Sequence, residues 1–159
     1  MRFADRYPII VTARKNECRE FWVRHLGFEV GFDSQWFVLL QSSDGSASIA
    51  FMTPDHPSAP PGPEPFSGKG MCFELQVDDV DTVHAEVAAT GARIDYALVS
   101  EPFGQRRFGL FDPAGLWIEF SMSRVTKRRK LKLPNEYVTS RSVPSMFWRC
   151  KLMNRLSTR

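Results

Sequence analysis

Two short stretches hold the side chains best suited to chemistry. In GMCFELQV, residues 70–77, Cys72, Glu74 and Gln76 alternate with Met71, Phe73, Leu75 and Val77. In LWIEFSM, residues 116–122, Trp117, Glu119 and Ser121 alternate with Leu116, Ile118, Phe120 and Met122. Side chains two apart on a strand share a face, so each stretch predicts one apolar face and one face of carboxylate, amide, thiol and indole. Glu74 and Glu119 attract positive charge, and Trp117 offers a ring face to a planar or cationic group. Such a surface suits the inside of a ligand-binding cup. The same alternation also suits a sheet face turned to water.

A second cluster precedes the next-to-last strand, where Glu101-Pro102-Phe103-Gly104-Gln105-Arg106-Arg107-Phe108 sets two arginines among aromatics. A guanidinium there could hold an anionic group in two-point fashion; the favoured alternative is that Pro102 and Gly104 shape a turn while the arginines pair with carboxylates of the body. Tyr7 and Trp36 add rings that a planar ligand could use, and Met52, the last residue of an expected strand, is counted with them. The candidate ligand-binding set is therefore Tyr7, Trp36, Met52, Cys72, Glu74, Gln76, Arg106, Trp117 and Glu119, and no catalytic residue is assigned. His25 and His84 fall on predicted helices and His56 in a Pro-rich stretch, which places all three away from this set. Cys18, Cys72 and Cys150 are an odd number without CxxC spacing, so neither a disulfide framework nor a structural zinc site is expected.

The elements that must position these residues follow from periodicity. Residues 7–12 form an apolar run of strand length. Cys18, Phe21, Trp22 and Leu26 then recur at helical spacing over 15–25, with Asn16 as a capping candidate and Gly27 as the stop. Strands are expected at 28–32, 36–41 and 46–52, with Asp44-Gly45 turning the last pair. Six prolines between 54 and 69 mark a linker. The order then repeats: strand 70–77, helix 79–90 stopped by Gly91, and strands 92–99, 106–111 and 116–122, with Asp112-Pro113-Ala114-Gly115 as the last turn. Each half reads βαβββ, an internal repeat of about 65 residues. The predicted class is α+β, with module 1 at about 5–53 and module 2 at about 70–123.

Charge divides the chain at Ser123. Residues 1–123 hold 10 Lys+Arg against 17 Asp+Glu, a balance of −7, and residues 124–159 hold 11 against 1, a balance of +10. A short amphipathic helix is expected near 144–156, where Met146, Phe147, Cys150, Met153 and Leu156 recur at helical spacing among Arg149, Lys151 and Arg155. This basic extension is expected to dock on the acidic body or on a dimer partner; nucleic acid or a membrane surface is the alternative, with salt sensitivity as its signature. No stretch reaches the roughly 18 apolar residues of a membrane span, and the start has no apolar signal core, so the expected location is the cytoplasm.

Paired βαβββ modules with LGFEV at 26–30, VDDVD at 77–81 and FDPAGLWIEF at 111–120 resemble the vicinal-oxygen-chelate superfamily of glyoxalases, bleomycin-resistance proteins and extradiol dioxygenases. The resemblance spans about residues 5–122 and implies two modules curling into a cup-shaped mixed sheet, usually in a homodimer. Metal enzymes of that superfamily carry ligands on the first and last strands of each module, which in this sequence implies Tyr7, Ala50, Cys72 and Glu119. Of these only Glu119 is a usual ligand, and it is the one weak metal candidate. No cofactor is expected, and a divalent metal only at that position. The sequence thus favours a metal-free small-molecule binder that sequesters a cationic or aromatic drug or metabolite. The alternatives are a metal-dependent lyase or dioxygenase with an atypical site at Glu119 and Cys72 or Glu74, and a nucleic-acid adaptor acting through the basic tail.

Overall fold

The computed structural model describes residues 5–56 and 64–123. All of them belong to one compact unit. The basic extension and its expected helix therefore lie outside the described residues.

The first module starts with β1 (Ile9–Val11), whose β-branched residues favour extended backbone. Helix α1 (Lys15–Leu26) follows directly. Its N-cap is Arg14 and not the expected Asn16, which lies inside the first turn. Thr12 Oγ1 accepts the Arg14 N–H at 3.1 Å, and Arg14 Nε donates to Glu17 at 3.0 Å, so the turn is held by residues on either side of Asn16. Gly27 ends the helix as expected, at φ 67°, a left-handed conformation that glycine adopts without a Cβ clash. Next come β2 (Glu29–Asp33), β3 (Phe37–Gln41) and β4 (Ser48–Met52). In the last hairpin Asp44 Oδ1 accepts from Ser42 Oγ at 2.6 Å and from the Ser46 N–H at 3.0 Å, which holds its carboxyl down at about 2.

The second module repeats the plan with β5 (Cys72–Gln76), α2 (Val80–Ala89), β6 (Tyr96–Ser100), β7 (Gln105–Phe111) and β8 (Trp117–Ser123). Asp79, the middle of VDDVD, caps α2 by accepting the N–H groups of Asp81 and Thr82 at 3.1 and 3.2 Å. The strand expected from residue 92 begins only at Tyr96, because Ala92 and Ile94 pack on the core before pairing starts.

Each half of the expected cup is its own four-stranded mixed sheet, in the orders β1-β4-β3-β2 and β5-β8-β7-β6. In both, the first strand lies parallel to the last, and the other pairings are antiparallel. One core joins the modules: Trp22, Val38, Leu40 and Phe51 from the first and Phe108, Leu110 and Ile118 from the second are fully buried in a single cluster. Trp22 is its bridge. The ring meets Phe73 edge-on at 5.5 Å, and Nε1 donates to Asp112 Oδ2 at 3.1 Å, both in module 2. Phe73, Leu75, Leu116, Ile118 and Phe120 all belong to this core, so the intervening residues of β5 and β8 stand on the sheet face opposite the helices.

Candidate functional site

Strand register arranges that opposite face of module 2 into three rows. Phe111, Trp117 and Cys72 are aligned across β7, β8 and β5. Tyr96, Gly109, Glu119 and Glu74 form the next row across all four strands. Val99, Arg107, Ser121 and Gln76 form the third. Directly aligned residues share a face, so two carboxylates stand on neighbouring strands between an aromatic row and an arginine.

Gly109 makes the aromatic row possible. A Cβ there would lie 2.2 Å from Trp117 Cζ2, so the indole occupies space that any other residue would fill. Phe111 meets the Trp117 ring at 4.8 Å in a T-shaped contact, and Trp117 Nε1 points to Glu119 Oε2 at 3.4 Å.

The two carboxylates differ in what they hold. Glu119, 9% exposed, accepts Arg107 Nη1 on both oxygens at 3.1 and 2.9 Å. Arg107 Nε also donates to Glu101 at 2.9 Å, and Tyr96 Oη donates to the same Glu101 oxygen at 2.7 Å. The rings of Tyr96 and Phe103 lie 5.3 and 5.6 Å from the guanidinium carbon. Burial works against the Arg107 charge, yet the hydrogen bonds to Glu101 and Glu119 outweigh it and raise the guanidinium above its ordinary range. Glu74 is exposed and accepts only Ser121 Oγ, at 2.7 Å on one oxygen; among the described residues its second oxygen has no partner. Cys72 beside them is pushed up to about 11, first by burial and then by the charges of Glu119 and Glu74, so it is a neutral thiol near pH 7.

Of the nine expected site residues, five come together here: Cys72, Glu74, Gln76, Trp117 and Glu119. Arg106 does not join them. It shares a face with buried Phe108, and its guanidinium grips Asp81 of α2 with Nε at 2.8 Å and Nη2 at 2.6 Å. That is the pairing with a body carboxylate offered as the alternative for these arginines. Arg107, one residue later, is the arginine on the site face; alternation counted from Phe108 carries that signal. Tyr7, Trp36 and Met52 belong to module 1. Tyr7 precedes β1 and is exposed, Trp36 precedes β3 with its ring 5.8 Å from Phe37, and Met52 is buried on β4 opposite Val11 and Phe37. Gly109, Tyr96 and Phe111 join the site without having been singled out from sequence.

The equivalent row of module 1 reads Phe32, Leu39, Ala50 and Ile9. Hydrocarbon thus stands where module 2 has Tyr96, Gly109, Glu119 and Glu74. This bears on the metal that the resemblance implies. Ala50 has no donor, Tyr7 is an exposed phenol, Cys72 is a protonated thiol, and Glu119 is engaged by Arg107. Those four groups do not fit a divalent ion. Among the described residues no three His, Cys, Asp or Glu side chains are placed to hold one.

Comparison with known proteins gives a consistent picture. The family model described as Glyoxalase/Bleomycin resistance protein/Dioxygenase superfamily matches residues 8–120. No curated protein sequence matches the chain. Among solved structures, a bleomycin resistance determinant encoded on the transposon Tn5 is similar at 20% identity, with a TM-score of 0.58 over 77% of this chain and 100% of that one. An antibiotic binding protein from Streptomyces sp. CB03234 is similar at 19% identity and TM-score 0.57, over 77% of this chain and 99% of that one. Lactoylglutathione lyase from Agrobacterium tumefaciens reaches TM-score 0.61 at 17% identity, over 77% and 96%. At these identities the likeness concerns the fold.

Proposed function

This chain belongs to the glyoxalase/bleomycin resistance protein/dioxygenase superfamily, and from that premise we propose that it binds a small planar molecule carrying a positive charge, without a metal, and so sequesters a drug or metabolite. One observation carries the reading: on one sheet face the Trp117 ring packs against Gly109, and Glu74, an exposed carboxylate with an open oxygen, stands in the same row as that glycine on the far side of Glu119. Trp117 would take the planar part of the ligand, and Glu74 its charge.

The energetics favour such a guest. Cation–π contact adds on the order of 0.5–2 kcal/mol, more when water is excluded. Glu74, Glu101 and Glu119 against Arg107 leave the face net negative. Residues 1–123, at −7, would steer a cation toward it. The reading is supported by two proteins of similar fold, one described as an antibiotic binding protein and one as a bleomycin resistance determinant. Pairing of two chains, usual for the superfamily, is part of the same proposal and is read out by sedimentation.

A thermal-shift screen of the purified chain tests the function. Aromatic cations and bleomycin-type drugs go on one side, and Mn, Ni, Fe and Zn ions on the other. A ligand that binds only the folded state raises the midpoint. The proposal expects a rise with the cations and none with the metals; a rise with the metals alone overturns it.

A further inference from the structure

Arg107 already sits in surroundings that recognise a planar cation. Its guanidinium carbon lies 5.3 and 5.6 Å from the ring centroids of Tyr96 and Phe103, and the group donates to Glu101 and Glu119 on its two edges. Aromatic faces with carboxylates at the edges are what a guanidinium, amidinium or aromatic ammonium ion requires. Here the occupant is part of the chain. Arg107 Nη1 engages both Glu119 oxygens, while Nε and Nη2 both reach Glu101 Oε1. Glu74, aligned with Glu119 on the neighbouring strand, is left as the exposed carboxylate with an oxygen to offer.

We propose that Arg107 is a specificity-determining residue: an internal cation that fills the Tyr96–Phe103–Glu101–Glu119 cage and thereby limits the face to ligands with one positive charge, received at Glu74 and Trp117. This role rests on the reading that the face binds a planar cation. A dication would need a second carboxylate. Both within reach are engaged by a guanidinium that is itself positive, so the second charge of such a ligand meets repulsion.

The test compares N-methylquinolinium, a planar monocation, with diquat, a planar dication, on the full chain by titration calorimetry. The wild type is expected to bind the monocation at least as tightly as the dication. Arg107→Ala should raise the dication-to-monocation affinity ratio by tenfold or more, and millimolar guanidinium, by refilling the cage, should bring the ratio back toward the wild-type value. Arg107→Gln keeps a donor toward Glu119 without the charge and guards against loss of folding in the alanine variant; it should move the ratio at least threefold the same way. A wild type that binds the monocation, with an unchanged ratio in a folded variant, overturns the role of Arg107 alone. A wild type that binds neither probe overturns the reading of the face and this role with it.

Discussion

Arg107 Nη1 donates to both oxygens of Glu119, at 3.1 and 2.9 Å, from the strand beside it. One of the two carboxylates that the sequence offers to a cation is thus already paired with a positive charge inside the protein. Glu119→Gln removes one acceptor of a largely buried charged pair and should cost about 1–3 kcal/mol of stability. Denaturant midpoints would show that loss, while affinity for an aromatic cation should fall less than in Glu74→Gln.

Gly109 and Trp117 form the most exacting contact of the site. Gly109→Ala places a methyl group 2.2 Å from Trp117 Cζ2, so the indole must lift off the sheet. Overpacking of this kind typically costs about 1–3 kcal/mol. The variant should fold with an altered near-ultraviolet circular dichroism spectrum and a loss of aromatic-cation binding of tenfold or more. An altered spectrum with unchanged affinity would show that the ring has no part in binding.

Trp22 and Asp112 tie the modules together beneath the site. Asp112 accepts Trp22 Nε1 at 3.1 Å on one oxygen and the Leu116 N–H at 2.9 Å on the other, while burial pushes its carboxyl up. Asparagine has only one acceptor oxygen, so Asp112→Asn must set an amide N–H against one of those donors. Leaving a buried polar group unsatisfied costs about 1–3 kcal/mol, and calorimetry should record a lower melting temperature. Equal melting of the two proteins would mean that the bridge does not matter.

His25, where α1 meets the end of α2, should make stability pH-sensitive. Thr90 Oγ1 donates to Val87 O, so it accepts from His25 Nδ1–H at 2.7 Å. Burial first, and the Arg24 charge second, hold His25 below its ordinary 6.5. A base with a depressed value binds fewer protons folded than unfolded, so stability rises with pH; its contribution is complete above about 6.5 and is lost as pH falls through the folded value. Between pH 7 and 5 the wild type should therefore lose more stability than His25→Gln, as measured by urea titration at each pH.

The duplicated architecture was legible because its signals are local. Gly27 and Gly91 stop the helices, Asp79 caps α2, and Asp44-Gly45 turns a hairpin, and each acts through its own backbone neighbours. Strand alternation likewise separated Glu74 and Glu119 from Phe73 and Phe120. Sequence pointed to the wrong arginine for the site, Arg106 instead of Arg107, since a shift of one residue reverses the face. The pairing of Gln105 with Ser123 decides it, a contact between residues far apart in the chain. Trp36, Tyr7 and Met52 were grouped with the site by residue type, yet their positions in module 1 follow from tertiary placement. The contrast between the two rows, hydrocarbon at Ala50 and Ile9 and carboxylate at Glu119 and Glu74, appears only once register is known.

In the proposed function Glu74 receives the charge of a ligand whose planar part meets Trp117 on the same sheet face. Calorimetric titration of N-methylquinolinium into the wild type and Glu74→Gln tests it most directly. One site per chain is expected, with an affinity at least tenfold weaker in the variant at low salt and both proteins equally folded by circular dichroism. Binding of equal strength to the two proteins, or none to the wild type, would contradict it.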